Sequence, residues 1–274
     1  MGRITERLRV RRIRAEFDTA RVDTVAVEEP LEIRVGGASM TMTMRTPGDD
    51  VDLVHGLLLA EGLITSGADI DSIRYCAGTD DHGQNTYNVV DVIPADGVAL
   101  EIPARTFAST SACGVCGKAS IDELRVRSHF DLTEDPTPVA TSALTRMSTV
   151  LRDHQKTFAA TGGVHGAALF TADGALLVSR EDVGRHNAVD KVIGWAVRNE
   201  KLPLRGTVLM VSSRASFEIC QKAVLAGIPV LAAVSAPSSL AVEVGRESGL
   251  TVVGFLRDTS MNVYSGPDRI VAGD

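Results

Sequence analysis

TVLMVSSRASFEICQKAVLAGIPVLAAVSAPSSLAVEVGRESGLTVVGFL, running from Thr207 to Leu256, holds three short apolar runs separated by two amphipathic segments. Thr207 to Val211, Val230 to Val234 and Thr251 to Leu256 have the length and composition of strands. Ser216 to Ala226 predicts a helix stopped by Gly227, and Ser238 to Arg246 a second helix ending near Gly249. The order is βαβαβ, and strands apolar on both faces predict a parallel sheet covered by helices on two sides. Ligands of such sheets bind beyond the carboxyl ends of the strands. Those ends carry Ser212-Ser213-Arg214, Ser235-Ala236-Pro237 and Arg257-Asp258-Thr259, small and polar residues that suit a phosphate-bearing ligand.

Working upstream, Val164 to Phe170 and Ala175 to Ser179 predict strands around Asp173-Gly174. Gly184 to Arg198 predicts a helix with the stripe Val189, Val192, Ile193, Ala196 and Val197. Between Arg125 and Ser142 apolar periodicity is lost, which predicts a connector and a boundary near residue 140. The earlier half reads differently. Thr24 to Val27 is a short apolar segment, and Leu31 to Val35 and Met40 to Met44 alternate around Gly36-Gly37 as a hairpin. Pro47-Gly48 ends it, Asp49 or Asp50 can cap a helix, and Leu53, Leu57, Leu58 and Leu63 follow at near-helical spacing. Residues 78–85 read as a loop, and Asn88 to Ile102 as two strands about the turn from Pro94 to Gly97. The expected class is therefore α/β, with residues 1–140 a smaller α+β domain and residues 141–274 an α/β domain.

Bulk properties narrow the function. The chain of 274 residues is 44% apolar, enough for a core without disulfide staples. Four cysteines with one close pair make no disulfide framework, and no apolar run reaches a membrane span, so a reduced, cytoplasmic protein is expected. A net charge of -7 argues against a broad nucleic-acid surface. The local exception is the cluster Arg3, Arg7, Arg9, Arg11, Arg12 and Arg14, read as a solvated leading strand, a frayed terminus or a partner-docking arm.

Cys113 and Cys116 stand in Ser111-Ala112-Cys113-Gly114-Val115-Cys116-Gly117-Lys118. Glycine after each cysteine opens the sulfur to a bulky reactant, and Ser109, Thr110 and Ser111 are N-cap types that favour a thiolate at a helix start. Half a zinc site, a dithiol redox pair and a sulfane-sulfur carrier all use such a pair. Zinc is the weakest of these, because Cys76 and Cys220 stand alone and the six histidines are scattered. Cys220 falls among Ile219, Ala223 and Val224 and reads as a buried, inert thiol. A second constellation, Glu181-Asp182-Val183-Gly184-Arg185-His186-Asn187-Ala188-Val189-Asp190-Lys191, crowds charge at a helix start. It is either a capping cluster with surface ion pairs or an anion site held by Arg185 and the helix N–H groups, with Lys191 nearby. His186 and Asp190, four apart, share a face. His165 is open between a structural histidine and a ligand contact.

These motifs, with Ser212-Ser213-Arg214, Val253-Gly254-Phe255 and Met261-Asn262-Val263-Tyr264, resemble the FdhD family of formate dehydrogenase accessory proteins. The resemblance implies a sulfur carrier that accepts a persulfide from a cysteine desulfurase and passes it to the molybdenum cofactor of formate dehydrogenase. It implies that Cys113 carries the persulfide with Cys116 assisting, and that the chain is a homodimer. It also implies binding of the bis-guanine-dinucleotide pterin through Phe255, Leu256, Arg257, Asp258, Thr259 and Ser260. The helix-start residues Arg185 and His186 and the strand-end residues Ser212, Ser213 and Arg214 join that list as cofactor contacts. The implied fold of the second domain is a cytidine-deaminase-like α/β/α sandwich without zinc, since a deaminase needs His-x-Glu and Pro-Cys-x-x-Cys. This chain offers His186-Asn187-Ala188 and Arg214-Ala215-Ser216 instead. A thiol-disulfide oxidoreductase and a guanine-nucleotide-binding chaperone without sulfur transfer are the rival functions.

Overall fold

The computed structural model describes residues 3–15, 17–76, 78, 86–100 and 128–273. Cys113, Cys116, their serine and threonine neighbours and the far end of the strand expected to reach Ile102 lie outside the described residues. The described residues form four sheets. A ribbon pairs β1 (Thr5–Arg14) with β2 (Phe17–Ala26), and a four-stranded sheet has the order β4-β3-β6-β5. Its strands are β3 (Glu29–Val35), β4 (Ala38–Arg45), β5 (Ile70–Tyr75) and β6 (Val89–Pro94). The hairpin expected at Gly36-Gly37 is there, both glycines having positive φ. Helix α1 (Asp50–Ala60) follows, its buried first-turn carboxylates taken up by Arg45 and Arg180.

The larger sheet has the order β13-β12-β11-β10-β8-β9. Between β7 (Val139–Ala140) and β8 (His165–Thr171) lie helices α2 (Thr141–His154) and α3 (Lys156–Thr161). Strand β9 (Leu176–Asp182) leads to α4 (Arg185–Arg198), then β10 (Thr207–Val211), α5 (Phe217–Leu225), β11 (Val230–Ala233), α6 (Ser239–Ser248) and β12 (Thr251–Gly254). The edge strand β13 (Asn262–Ser265) precedes β14 (Ile270–Val271), which pairs with β7. The expected βαβαβ unit is parallel across β10, β11 and β12. On its flanks β8–β9 joins as a hairpin and β13 returns to β12 by a short loop, and such short connections allow only antiparallel pairing; β8 also runs antiparallel to β10.

Alternation along the large sheet separates two cores. Leu169, Leu209, Val211, Leu231 and Val252 face α4, α5 and α6, while Phe170, Val208, Met210, Ala232 and Val253 face Ala143, Leu144, Met147 and Leu151 of α2. The first core continues through Leu53, Val54 and Leu58 of α1 to Leu31, Ile33, Val90 and Val92 of the small sheet. Residues on both sides of position 140 thus share one apolar interior. At the α1–α4 crossing the backbones touch. A Cβ on Gly56 would stand 2.0 Å from the Asp190 carbonyl oxygen, and one on Gly194 would stand 1.7 Å from that of Asp52. Only glycine fits at either place.

Candidate functional site

Three parallel strands deliver their carboxyl ends to one edge of the large sheet, and the antiparallel neighbours bring two more residues there: β8 begins at His165 and β9 ends at Asp182. Ser212 leaves β10 locked to β8, its N–H donating to the Gly166 carbonyl at 2.9 Å and its Oγ accepting from the Gly166 N–H at 2.9 Å. Ser213 is buried and donates its hydroxyl to the Arg214 carbonyl at 3.1 Å, which leaves the Arg214 side chain exposed at the rim. The next loop is tied on through a parallel bridge between Ala215 and Pro237 and a bond from the Ser238 N–H to the Ala215 carbonyl at 3.0 Å.

Helix α4 starts at this edge because Asp182, fully buried, organises the preceding turn. Its carboxylate accepts from the Gly184 N–H at 2.8 Å, the Thr46 N–H at 3.1 Å and Asn187 Nδ2 at 3.2 Å, and pairs with Lys191 Nζ at 2.7 Å. Lys191 also donates to the Thr46 carbonyl at 2.9 Å, and Asn187 to the Met44 carbonyl at 2.7 Å. The end of β4 is thereby stitched to the start of α4. Lys191 is 1% exposed and committed to this pair, which corrects the expectation that it stands beside a bound anion: it lies more than a turn into α4, facing Thr46.

Arg185, at the first position of α4, has a buried Nε with no hydrogen-bond partner, an unsatisfied donor that costs about 1–3 kcal/mol until an acceptor arrives. His186 Nε2 sits 2.7 Å from Glu218 Oε2 and 3.3 Å from Ser216 Oγ, joining the starts of α4 and α5. The hydrogen bond from His186 holds the Glu218 carboxyl below the usual carboxylate range. One turn further on, Asp190 pairs with Lys222 at 2.6 Å. Burial nonetheless pushes the Asp190 carboxyl upward. His165 completes the cluster. Burial first, then the neighbouring Arg185, His186 and Arg214 side chains, hold its imidazole below the ordinary 6.5. Arg185 and Arg214 thus lie near enough to His165 to act on it electrostatically, and two guanidinium groups at one edge are donors suited to an anion.

The other implied residues sit at the same edge. Strand β12 lies two strands from β10, about 10 Å away by sheet spacing. Phe255 is 42% exposed, and its φ of 51 is one that aromatic residues rarely adopt. Arg257, Asp258, Thr259 and Ser260 are exposed in a turn closed by the Arg257 N–H on the Ser260 carbonyl at 2.8 Å. Leu256 differs: it is 1% exposed within the α2-side core, so its side chain supports the loop and is not a contact surface for a cofactor, which corrects that expectation. A cavity of ≈ 470 Å³ opens at this edge, lined by Leu151, Gln155, Phe158, Gly163, His165 and Ser212 among others. Sequence reasoning missed Leu151, Gln155 and Phe158. The Leu144, Met147 and Leu151 spacing is the signal that reveals α2.

Away from this edge, Cys220 is fully buried, and desolvation pushes its thiol up to about 12. Cys76 is a half-buried free thiol. Among the described residues, no three His, Cys, Asp or Glu side chains converge as metal ligands, and no helix is long and apolar enough to cross a membrane.

Comparison with known proteins gives this architecture its relatives. A crystal structure of a formate dehydrogenase accessory protein from Desulfotalea psychrophila shares the fold, with a TM-score of 0.78 at 23% identity over 98% of this chain and 100% of that one. A sulfur carrier protein FdhD of Mycolicibacterium paratuberculosis is 58% identical, covering 97% of this chain and 99% of its own. The Nocardia farcinica protein of that name is 56% identical over 98% of this chain and 96% of its own. The sequence model of the FdhD/NarQ family matches residues 26–271, so the chain belongs to the FdhD/NarQ family.

Proposed function

We propose that this chain is a cytoplasmic sulfur carrier that accepts sulfur from a cysteine desulfurase on Cys113 and delivers it to the guanine-dinucleotide molybdenum cofactor used by formate dehydrogenase. The Cys113 thiolate attacks the outer sulfur of the donor's persulfide; the donor's S–S bond breaks, the donor leaves as a thiolate, and Cys113 holds a persulfide. Cys116 assists release by attacking the inner sulfur, which frees sulfide and leaves a disulfide for a cellular thiol to reduce. The names borne by relatives with more than half their residues identical support the carrier role. Chain pairing is part of the same reading.

The observation that carries the cofactor assignment is the unpartnered, buried Nε of Arg185 beside His165, His186 and Arg214. Those residues fit a diphosphate, and the neighbouring cavity, walled by Leu151, Phe158 and Gln155, suits a flat heteroaromatic base. In the deaminase-like reading of the large sheet, His186 and Ser216 stand at two adjacent helix starts where deaminases hold zinc, and their contact at 3.3 Å closes that position with a hydrogen bond. The scaffold then binds a nucleotide without hydrolysing its amine.

Calorimetric titration with GDP tests the site. Charged hydrogen bonds contribute about 1.5–3 kcal/mol, so Arg185→Ala should weaken GDP binding roughly 10- to 150-fold without lowering the melting temperature of the ligand-free protein, since it removes a buried donor that has no partner. Equal affinity in wild type and variant, or no GDP binding by wild type, would overturn the assignment.

A further inference from the structure

One polar side chain in the cavity of ≈ 470 Å³ has no part in the anion cluster. Gln155 is the residue between α2 and α3, and its backbone serves both: its N–H donates to the Arg152 carbonyl at 3.2 Å, and its carbonyl accepts from the Ala159 N–H at 2.9 Å. Its carboxamide is uncommitted. The residue is 7% exposed and lines the cavity, and its side chain makes no hydrogen bond among the described residues. A buried carboxamide without a partner is a standing cost that a ligand removes.

Its neighbours fix where it lies. A Cβ on Gly166 would stand 2.7 Å from Gln155 Nε2 and 2.8 Å from its Cδ, so the carboxamide rests in space that only glycine leaves on β8. By strand alternation Gly166 shares the α2 face of the sheet with Ala168 and Phe170, whereas His165 shares the α4 face with Ala167 and Leu169. A ligand with its anion at Arg185 and its ring in the cavity therefore crosses the end of β8 at these two residues. Glu181 sets the opposite wall, its carboxylate accepting from the Thr157 and Phe158 N–H groups, both at 2.8 Å. That fixes the start of α3 and leaves the Phe158 ring 45% exposed at the cavity, a surface for stacking. Arg152 lines the same space and has no ion pair among the described residues.

The chemistry of these groups selects a ring. A carboxamide sets an acceptor beside a donor, which matches the N–H and C=O of a ring lactam or, turned over, the amino group and N1 of adenine. Arg152 breaks that tie, because a guanidinium only donates: guanine presents O6 and N7 as acceptors, and adenine has an amino donor where O6 would be. Among the described residues no carboxylate lines the cavity to accept from a 2-amino group. We infer that Gln155 and Arg152 are the specificity-determining residues of the nucleotide site, reading the 6-oxo edge of a purine and not its 2-amino group. The inference rests on the nucleotide site proposed above and names what that site distinguishes. Guanosine and inosine diphosphates are equivalent to it, and the adenosine diphosphate is refused.

Equilibrium dialysis of the full chain against GDP, inosine diphosphate and ADP tests this. Wild type should bind the first two within about fivefold of each other and ADP roughly 5- to 150-fold more weakly than GDP, the range for one bidentate base contact. Gln155→Glu should prefer GDP to inosine diphosphate at least about tenfold, because a carboxylate accepts from N1–H and the 2-amino group together. Arg152→Met should narrow the gap between GDP and ADP. A merely structural role would lower all three affinities alike and leave their ratios where they were. Circular-dichroism melts report folding, and if Gln155→Glu does not fold, Arg152→Met, altered at an exposed position, still reads the ratio. Wild type that binds ADP as tightly as GDP, or prefers GDP to inosine diphosphate more than about fivefold, overturns the inference and leaves the site standing, as do folded variants with unchanged ratios. Wild type that binds none of the three overturns the site itself, and this inference with it.

Discussion

Replacing Lys191 with methionine tests how the two halves of the molecule are joined. The amine is 1% exposed and donates to the Asp182 carboxylate at 2.7 Å and the Thr46 carbonyl at 2.9 Å. Methionine fills similar volume, so the cost falls on the Asp182 charge, which is 0% exposed and keeps only neutral donors from Thr46, Gly184 and Asn187. Breaking such a pair from one side costs about 3–5 kcal/mol, against a total stability of about 5–15 kcal/mol. At about 2–4 °C per kcal/mol for a chain of this size, Lys191→Met should melt roughly 6–20 °C below wild type. Adding Asp182→Asn removes the stranded charge, and the double variant should be about 1–2 kcal/mol more stable than the sum of the single changes predicts. Urea and thermal unfolding followed by circular dichroism give both quantities. A single variant within about 1 kcal/mol of wild type, or strictly additive changes, would refute the view that this pair anchors the start of α4.

Other substitutions read different parts of the structure. Gly194→Ala sets a methyl 1.7 Å from the Asp52 carbonyl oxygen, so α1 and α4 must separate; the expected loss is about 3 kcal/mol or more, measurable by urea unfolding. His55 and His165 are both held below 6.5 chiefly by burial, so the unfolded chain takes up protons first as pH falls. Their contribution is complete above about 6.5 and is lost as pH drops from there toward the folded values, so the melting temperature should fall between pH 7.5 and 5.5. His55→Asn should flatten that slope, and an unchanged slope counts against the assignment. Cys220, with its thiol pushed up to about 12, should resist iodoacetamide at pH 8 until the protein is denatured, as peptide mapping would show.

The βαβαβ core was legible because each signal agreed with its neighbours: apolar runs of strand length, stripes of helical period, and Gly227 and Gly249 placed where helices stop with positive φ. The placement of Ser212, Ser213 and Arg214 at one edge followed from topology, since parallel strands end there; that Arg185 and His186 stand beside them depends on the β8–β9 hairpin reaching the same edge, which the sequence did not show. Three features were hidden for physical reasons. Helix α2 was obscured by its many serines, threonines and arginines, although Leu144, Met147 and Leu151 mark its stripe. The commitment of Lys191 to Asp182 and Thr46 depends on a contact between residues 145 apart in sequence, which no local pattern encodes. The pairing of β1 with β2 was obscured because both carry charge on either face, and without a buried side there is no alternation to read.

The central claim, that this chain carries labile sulfur, is tested most directly by intact-protein mass spectrometry after incubation with a cysteine desulfurase and cysteine. Wild type should gain the mass of one sulfur atom, lost on treatment with a reducing thiol, and Cys113→Ala should gain none. An adduct that persists in Cys113→Ala, or wild type that acquires only a disulfide, would contradict the account.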